Sequence, residues 1–196
     1  MTQLQVIFWI VAASCMMGCY SVSSFQSPSA AMRDYGSFTD YQYIVMFDRF
    51  EMQQSTKAEY DFRGAPSREF IAVIVMDRKE DLDLLIAHSA TAHIVITRDS
   101  GEVVYDFVGP LSSDFSDNEP LGSSSRGRWN FRTYGGFNGP PDWNWNKTRV
   151  SIGSSSTAFR LDRCGYHVEL RMNADASLPR RIGVTLSLQG FGRGSI

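Results

Sequence analysis

Three histidines, His88, His93 and His167, are the side chains in this chain best suited to proton transfer near neutral pH. His93 and His167 fall on separate predicted strands, so they would meet only across a sheet. The sequence contains neither the G-x-S-x-G nucleophile motif nor the H-E-x-x-H zinc motif. This pattern favours exposed or half-buried strand histidines over a catalytic base. We therefore expect no enzyme activity and no cofactor.

One short segment clusters the carboxylates Asp114, Asp117 and Glu119. Calcium takes clustered oxygen ligands, but the EF-hand pattern, with its glycine and distant glutamate, is not matched. The spacing favours a solvated loop, with calcium binding as the alternative. Paired carboxylates can also hydrolyse glycosides, yet no pair can be chosen here without a fold. We predict no metal site.

The most unusual segment is FNGPPDWNWN, residues 137–146. Its prolines and glycine predict a loop. Trp143 and Trp145 are two residues apart and would share one side of an extended segment. Tyr134 and Phe137 lie close in sequence. Since tryptophan and tyrosine are frequent at binding hot spots, these four residues form a candidate partner-binding set. They also suit sugar stacking, and the alternative is that both tryptophans fold back over an open end of the sandwich.

The rest of the chain has the periodicity of a mainly β protein. Val103, Tyr105 and Phe107 share one face of a predicted strand, and 182–189 alternates as a half-buried strand would. The predicted strands are 41–47, 70–76, 92–98, 102–108, 128–134, 157–161, 166–172 and 182–189. Turns between them predict an antiparallel β-sandwich of about eight strands. Residues 109–128 are expected to form a long loop.

One short helix is expected between Arg78 and His88. Asp77 is a suitable N-cap, and Glu80 three residues later completes a capping-box pattern. Leucine and isoleucine side chains follow at helical spacing.

Composition and charge narrow the classes of partner. The chain has 196 residues, a net charge of -2 and 43% hydrophobic residues, so one domain with a buried core is expected. The basic clusters at 126–128 and 180–181 are short, and short charge runs usually serve solubility. A nucleic-acid partner is therefore not predicted, because such proteins carry a basic patch or stripe.

The N-terminus carries an uncharged apolar run from Val6 to Gly18. Its thirteen residues fall short of the roughly 20 that a membrane-spanning helix needs. The run is typical of the apolar region of a signal peptide, predicted over residues 1–18. It departs from that pattern in one respect, because the first Lys or Arg is Arg33.

The end of this run, Met16-Met17-Gly18-Cys19, resembles the lipobox of bacterial lipoproteins: an aliphatic residue, a variable one, Gly or Ala, and then Cys. The resemblance implies cleavage before Cys19, a diacylglycerol on its thiol and an acylated amino terminus. Met16 replaces the usual Leu. Tyr20 stands where an Asp would retain such a protein at the inner membrane, so the outer membrane is implied. An ordinary secretory signal and a buried helix are the alternatives.

After the signal, the serine-rich residues 19–39 predict a flexible linker, and 40–196 the β-sandwich domain. Cys15 would leave with the signal and Cys19 would carry lipid. Cys164 would then remain alone in the domain, and we expect it to be a small buried side chain.

These inferences favour a lipid-anchored protein of the bacterial cell envelope, facing the periplasm, that binds a protein partner. Within the lipoprotein class, some members are immunity proteins against a rival's toxin and others assist envelope assembly. Alternative readings are an envelope glycan-binding module, a hydrolase, or a structural lipoprotein without a discrete ligand.

Overall fold

A computed structural model describes residues 25–34, 41–112, 127–134, 150–155 and 157–191. These ranges hold twelve strands and one helix. In chain order they are β1 Ala30–Asp34, β2 Tyr41–Phe47, β3 Phe50–Met52, β4 Ser55–Arg63, β5 Arg68–Met76, α1 Lys79–Ala87, β6 Thr91–Arg98, β7 Val103–Ser112, β8 Trp129–Tyr134, β9 Val150–Ser154, β10 Phe159–Leu161, β11 Gly165–Asn173 and β12 Ile182–Phe191. No helix within the described residues is long and apolar enough to span a membrane.

The strands form one sheet in the order β1-β2-β12-β5-β9-β8-β7-β6-β11-β4, with β10 on β5 and β3 on β12. Every pairing is antiparallel except that of β7 with β8. The sheet curls until its two ends approach each other, where Gln26 bridges Arg63 at the end of β4. The result is a nearly closed, barrel-like arrangement.

The predicted mainly β class with one short helix is confirmed, but a sandwich of about eight strands is not what forms. Twelve strands make one curled sheet, because β7 continues through residues 109–112, which were predicted as loop, and pairs with β8. The predicted strand 157–161 is confirmed as β10 over three of its residues, whereas β3, also three residues long, is too short to have shown an alternating pattern. Strand β4 alternates clearly, with Ala58, Tyr60 and Phe62 inward, and sequence reasoning overlooked it.

The predicted flexible linker over residues 19–39 is wrong for residues 25–34. Gln26 exchanges two backbone hydrogen bonds with Arg63, and Ala30–Asp34 form β1 alongside β2. The serine and alanine content of this segment predicted flexibility. Its backbone N–H and C=O groups instead form hydrogen bonds with the edge of β2, and the composition of the segment does not reveal that partner.

The helix prediction is confirmed within one residue at each end, while the predicted cap is wrong. The N-cap residue is Arg78, which makes no side-chain capping bond. The Asp77 carboxylate instead forms an ion pair with Arg49 at 3.0 Å. A long-range charge partner therefore displaces the local capping bond that the sequence suggested.

The hydrophobic core lies inside the curled sheet and is formed by side chains from strands along its whole length. Trp129 is fully buried, its indole N–H donates to the Ala92 carbonyl at 2.9 Å, and its ring meets Phe107 edge-on. Strand β12, expected to be half-buried, is buried on both faces: Ser187 is as inaccessible as its apolar neighbours and donates to the Val45 carbonyl. The polar residues that alternate along β12 are therefore buried and do not face solvent.

Candidate functional site

A groove of 1110 Å³ runs along the seam where the two ends of the sheet approach each other. One wall is the segment 25–32, which leads into β1. The other wall comprises the end of β4, from Asp61 to Arg63, the beginning of β11, and Asp99 in the β6–β7 turn. We call this feature the seam groove. Its volume slightly exceeds the usual range of ligand pockets, about 300–1,000 Å³.

The floor of the seam groove is aromatic. Phe62 and Tyr166 are buried, and their rings stack with centroids 5.3 Å apart. Phe25 also stacks with Phe62, with ring centroids 5.9 Å apart. Phe62 points inward because it belongs to the alternating inner face of β4. Phe62 and Tyr166 are only 4% and 1% exposed, so they form a packed base beneath the groove, and the half-buried Phe25 is the accessible aromatic side chain.

The rim of the seam groove is charged. Asp61, Arg63 and Asp99 are exposed, and Asp61 contacts His167 Nδ1 at 2.9 Å. Asp99 lies against Gly165, where a Cβ would fall 2.1 Å from the Asp99 carboxylate oxygen. Glycine at this position therefore allows the Asp99 side chain to lie close against the beginning of β11.

The hydroxyl of Tyr166 belongs to a hydrogen-bonded cluster beneath the floor of the groove. Tyr166 donates its hydroxyl proton to Asp162 Oδ1 at 2.6 Å, and Arg98 pairs with Asp162 Oδ2 at 2.9 Å. Burial, and then the bond to Asp162, raise the pKa of Tyr166 to about 12. Burial would raise the pKa of Asp162, but the donors Tyr166 and Cys164 and the charge of Arg98 outweigh it and lower that pKa. Cys164, expected to be buried, is half-buried.

This cluster predicts a loss of stability in alkali. Because the folded-state pKa of Tyr166 is raised, its contribution is complete below the unfolded value of about 10 and is lost as pH rises through about 12. We expect the free energy of unfolding to fall across that window, and to fall less steeply in Tyr166→Phe. Denaturant unfolding at a series of pH values measures both slopes. Some pH dependence should remain in the variant, because burial also raises the pKa of Tyr60 to about 12. Equal slopes in the variant and the parent protein would contradict the assignment of the effect to Tyr166.

The histidines do not converge. His93 Nε2 contacts Asp106 Oδ1 at 2.7 Å and His167 contacts Asp61, both pairs on the outer face of the sheet. Across the β6–β11 pair, His93 lies opposite Arg171, whereas His167 lies four residues earlier in β11. His88 ends α1. The predicted half-buried strand histidines are confirmed for His93 and His167. Nowhere in the described ranges do three His, Cys, Asp or Glu residues meet as metal ligands do.

The charges on this outer face are paired within it. Lys57 lies between Glu59 and Glu169, at 2.5 and 2.6 Å. The hydrogen bonds to Glu169 and then Glu59 raise the pKa of Lys57. A face whose charges already have partners attracts a charged ligand less strongly than one with free charges. The seam groove is therefore the stronger candidate for binding.

One of the predicted site residues, Tyr134, lies within the described part of the chain. Tyr134 is the last residue of β8 and pairs with Val150. Cys19, Phe137, Trp143, Trp145 and the acidic residues Asp114, Asp117 and Glu119 lie outside the described residues. The seam groove was not predicted. The walls of the groove come from segments that are distant in sequence. The only local pattern that pointed to any of them was the alternation of apolar residues in β4.

No protein-family model matches the chain, and no curated protein does. Among solved structures, the chain is similar to the Clostridium perfringens CspB protease, with a TM-score of 0.30 and 11% identity over 74% of this chain. It spans 25% of that protease's length. It is also similar to a protein from Sulfurospirillum deleyianum, with a TM-score of 0.34 and 9% identity over 74% of this chain and 99% of that one. Similarities at this level do not establish a shared function.

Proposed function

We propose that this protein is a lipid-anchored protein of the bacterial cell envelope whose barrel binds a protein partner in the seam groove and catalyses no reaction. The observation that carries the proposal is the groove itself, an open cleft with an aromatic floor and a charged rim. The wall formed by segment 25–32 begins at Phe25, six positions after the lipobox-like Cys19 in the sequence. An anchored protein would thus carry its binding site close to its tether.

The composition of the groove supports a protein partner. Interfaces between proteins combine an apolar centre rich in aromatic residues with a polar rim. Here Phe25 is the accessible aromatic side chain, packed on the buried rings of Phe62 and Tyr166, while Asp61, Arg63 and Asp99 lie at the rim. A rival's toxin that this protein neutralises, or a component of envelope assembly, would present such a complementary surface.

The geometry of the titratable groups favours binding over hydrolysis. A general base needs a substrate within hydrogen-bond reach and a second group on the opposite side of the reacting bond. The His93–Asp106 and His167–Asp61 pairs lie on an outward-facing strand surface, at different levels of the sheet. They do not face each other across a cleft.

The binding proposal is tested by introducing one arginine at each of two exposed β positions. Ala31 lies in the seam groove, and Val108 lies on the outer face with a relative exposure of 58%. We expect Ala31→Arg to reduce co-purification of the partner at least about tenfold, since the side chain fills the groove, and Val108→Arg to leave it unchanged. If both variants retain the partner, the groove is not the binding site.

The aromatic set of Tyr134, Phe137, Trp143 and Trp145 stays in the proposal as a second contact. The double change Trp143→Ala with Trp145→Ala, in the same co-purification, separates the two surfaces. If the double variant loses the partner and Ala31→Arg retains it, the binding site is this aromatic set and not the seam groove.

The anchor is tested by intact mass. Protein from the membrane fraction should have the mass of residues 19–196 plus acyl groups, because cleavage precedes a lipidated Cys19. Cys19→Ser should remain unprocessed and lose its membrane attachment, since two or more acyl chains provide stable anchoring. An unmodified mass that begins at another residue would remove the anchor from the proposal without affecting the groove.

A further inference from the structure

We infer that residues 25–27 form a latch that opens and closes at the seam while the rest of the barrel stays folded, and that the partner binds only when the latch is closed. This inference rests on the proposed function and adds a conformational control to it. All three residues of the latch line the seam groove. Opening the latch therefore removes part of one wall of the binding site.

Few contacts hold the latch on β4. Gln26 and Arg63 exchange two backbone hydrogen bonds, at 3.1 and 2.9 Å, and this pair is an isolated bridge. The Ser27 hydroxyl donates to the Asp61 carbonyl at 2.6 Å. On its other side, β4 pairs with β11 along the whole length of both strands. The seam is thus the place where the barrel is held by the fewest backbone hydrogen bonds.

Water can replace the contacts of the latch. Gln26 and Arg63 are both exposed, and so is the hydrogen bond from Ser27 to β4. Phe25 stacks on Phe62 but is itself only half-buried. Exposed backbone hydrogen bonds and few buried apolar contacts are the features of segments that open locally, well below the free energy of global unfolding.

The latch can leave β4 without disturbing β1. Pro28 has no N–H, so it cannot continue the pairing with β4. The Ser29 N–H donates to the Ser27 hydroxyl oxygen at 3.2 Å, which turns the chain at this point. From Ser29 onward the backbone bonds to Asp48 and then pairs with β2. Rotation of the backbone at residues 28 and 29 would therefore carry only the latch away from β4.

The closed latch and the bound partner stabilise each other. When the latch is closed, Phe62 is only 4% exposed, and opening would expose this ring to water. A partner that contacts the closed wall binds the closed state more tightly, so it shifts the latch toward closure. The apparent affinity is in turn reduced in proportion to the fraction of molecules that are open.

Hydrogen exchange of the purified protein, followed at single amides by NMR, tests the latch without a partner. Arg63 donates its amide to Gln26, whereas the amide of Phe62, one residue earlier, points toward β11. Latch opening frees the first amide, and global unfolding frees both. We expect exchange at Arg63 to be at least about a hundredfold faster than at Phe62, relative to their intrinsic rates, and to depend little on denaturant.

A reversible disulfide provides the matched control. Gln26→Cys with Arg63→Cys places two thiols on a hydrogen-bonded antiparallel pair, whose Cα atoms are typically about 5.5 Å apart and within the range of disulfides. In the oxidised variant, exchange at position 63 should slow to the rate at Phe62. Reduction of the same molecule should restore the fast exchange.

Two variants at position 26 test the coupling between the latch and the partner. Gln26→Pro deletes the amide that donates to Arg63, and Gln26→Ala deletes the same side chain but keeps the amide. We expect about tenfold less partner to co-purify with Gln26→Pro than with Gln26→Ala, because the closed fraction falls. Both variants should show the circular dichroism of the parent protein.

The results separate this inference from the proposed function. Equal exchange at Arg63 and Phe62, with the same dependence on denaturant, would overturn the latch. Equal partner yields from the two Gln26 variants would overturn its coupling to binding, while loss of the partner in Ala31→Arg would still support the groove as the site. If Ala31→Arg retains the partner, the proposed function fails and the coupling fails with it, whatever the exchange rates.

Discussion

Replacing Trp129 by alanine should lower the free energy of unfolding by about 3–5 kcal/mol, the usual range for truncating a buried aromatic side chain. Trp129 has no exposed surface and begins β8, the strand that joins the two parts of the curled sheet through its pairing with β7. Its loss would leave a cavity beside Phe107. Equilibrium unfolding in guanidinium, followed by far-ultraviolet circular dichroism, measures the change.

Trp129→Phe is the matched control. It retains an aromatic ring but deletes the indole N–H, which leaves the buried Ala92 carbonyl without this donor, at a cost of about 1–3 kcal/mol. The phenylalanine variant should therefore lie between the parent protein and the alanine variant. An alanine variant within about 1 kcal/mol of the parent protein would show that Trp129 does not fill the core as described.

Replacing Arg180 by methionine should destabilise the fold by about 2–3 kcal/mol, since it leaves a buried carboxylate without its nearest charge. The side chain of Asp81, on α1, is only 3% exposed and contacts Arg180 directly. Arg78 lies farther away, at 3.6 Å, and remains in the variant. The expected effect is smaller than for a fully buried pair because Arg180 is partly exposed.

The double variant Asp81→Leu with Arg180→Met provides the control. Replacing both charges by apolar groups removes the desolvated carboxylate together with its partner, so most of the lost stability should return. Guanidinium unfolding of the two variants beside the parent protein gives the comparison. If the double variant is no more stable than Arg180→Met alone, the unpaired carboxylate of Asp81 is not the cause of the lost stability.

Local periodicity predicted the strands that have long alternating or apolar runs. Residues 41–47 are β2 as predicted, and β5 and β11 lie within two residues of their predicted bounds. These segments carry their own signal because one or both faces are apolar. By contrast, β9 is Val-Ser-Ile-Gly-Ser, and its Ser151 and Ser154 are buried by neighbouring strands. Only its pairing with β5 and β8 makes it a strand.

The seam groove lay beyond sequence reasoning for the same physical reason. Its walls bring together segment 25–32, the end of β4, and the beginning of β11, which are separated by long stretches of chain. Their proximity depends on the sheet curling until its ends meet, a property of strand order. The aromatic residues Phe62 and Tyr166 signalled strands, and nothing local distinguished a groove floor from the rest of the core.

The central claim, that the seam groove holds the partner, is tested most directly by site-specific photo-crosslinking in intact cells. A photoreactive amino acid replaces Ala31 in one strain and Val108 in another, and irradiated membranes are probed for adducts of this protein. The account predicts one discrete adduct from position 31 and none from position 108. Adducts from position 108 alone, or no adduct from position 31, would contradict it.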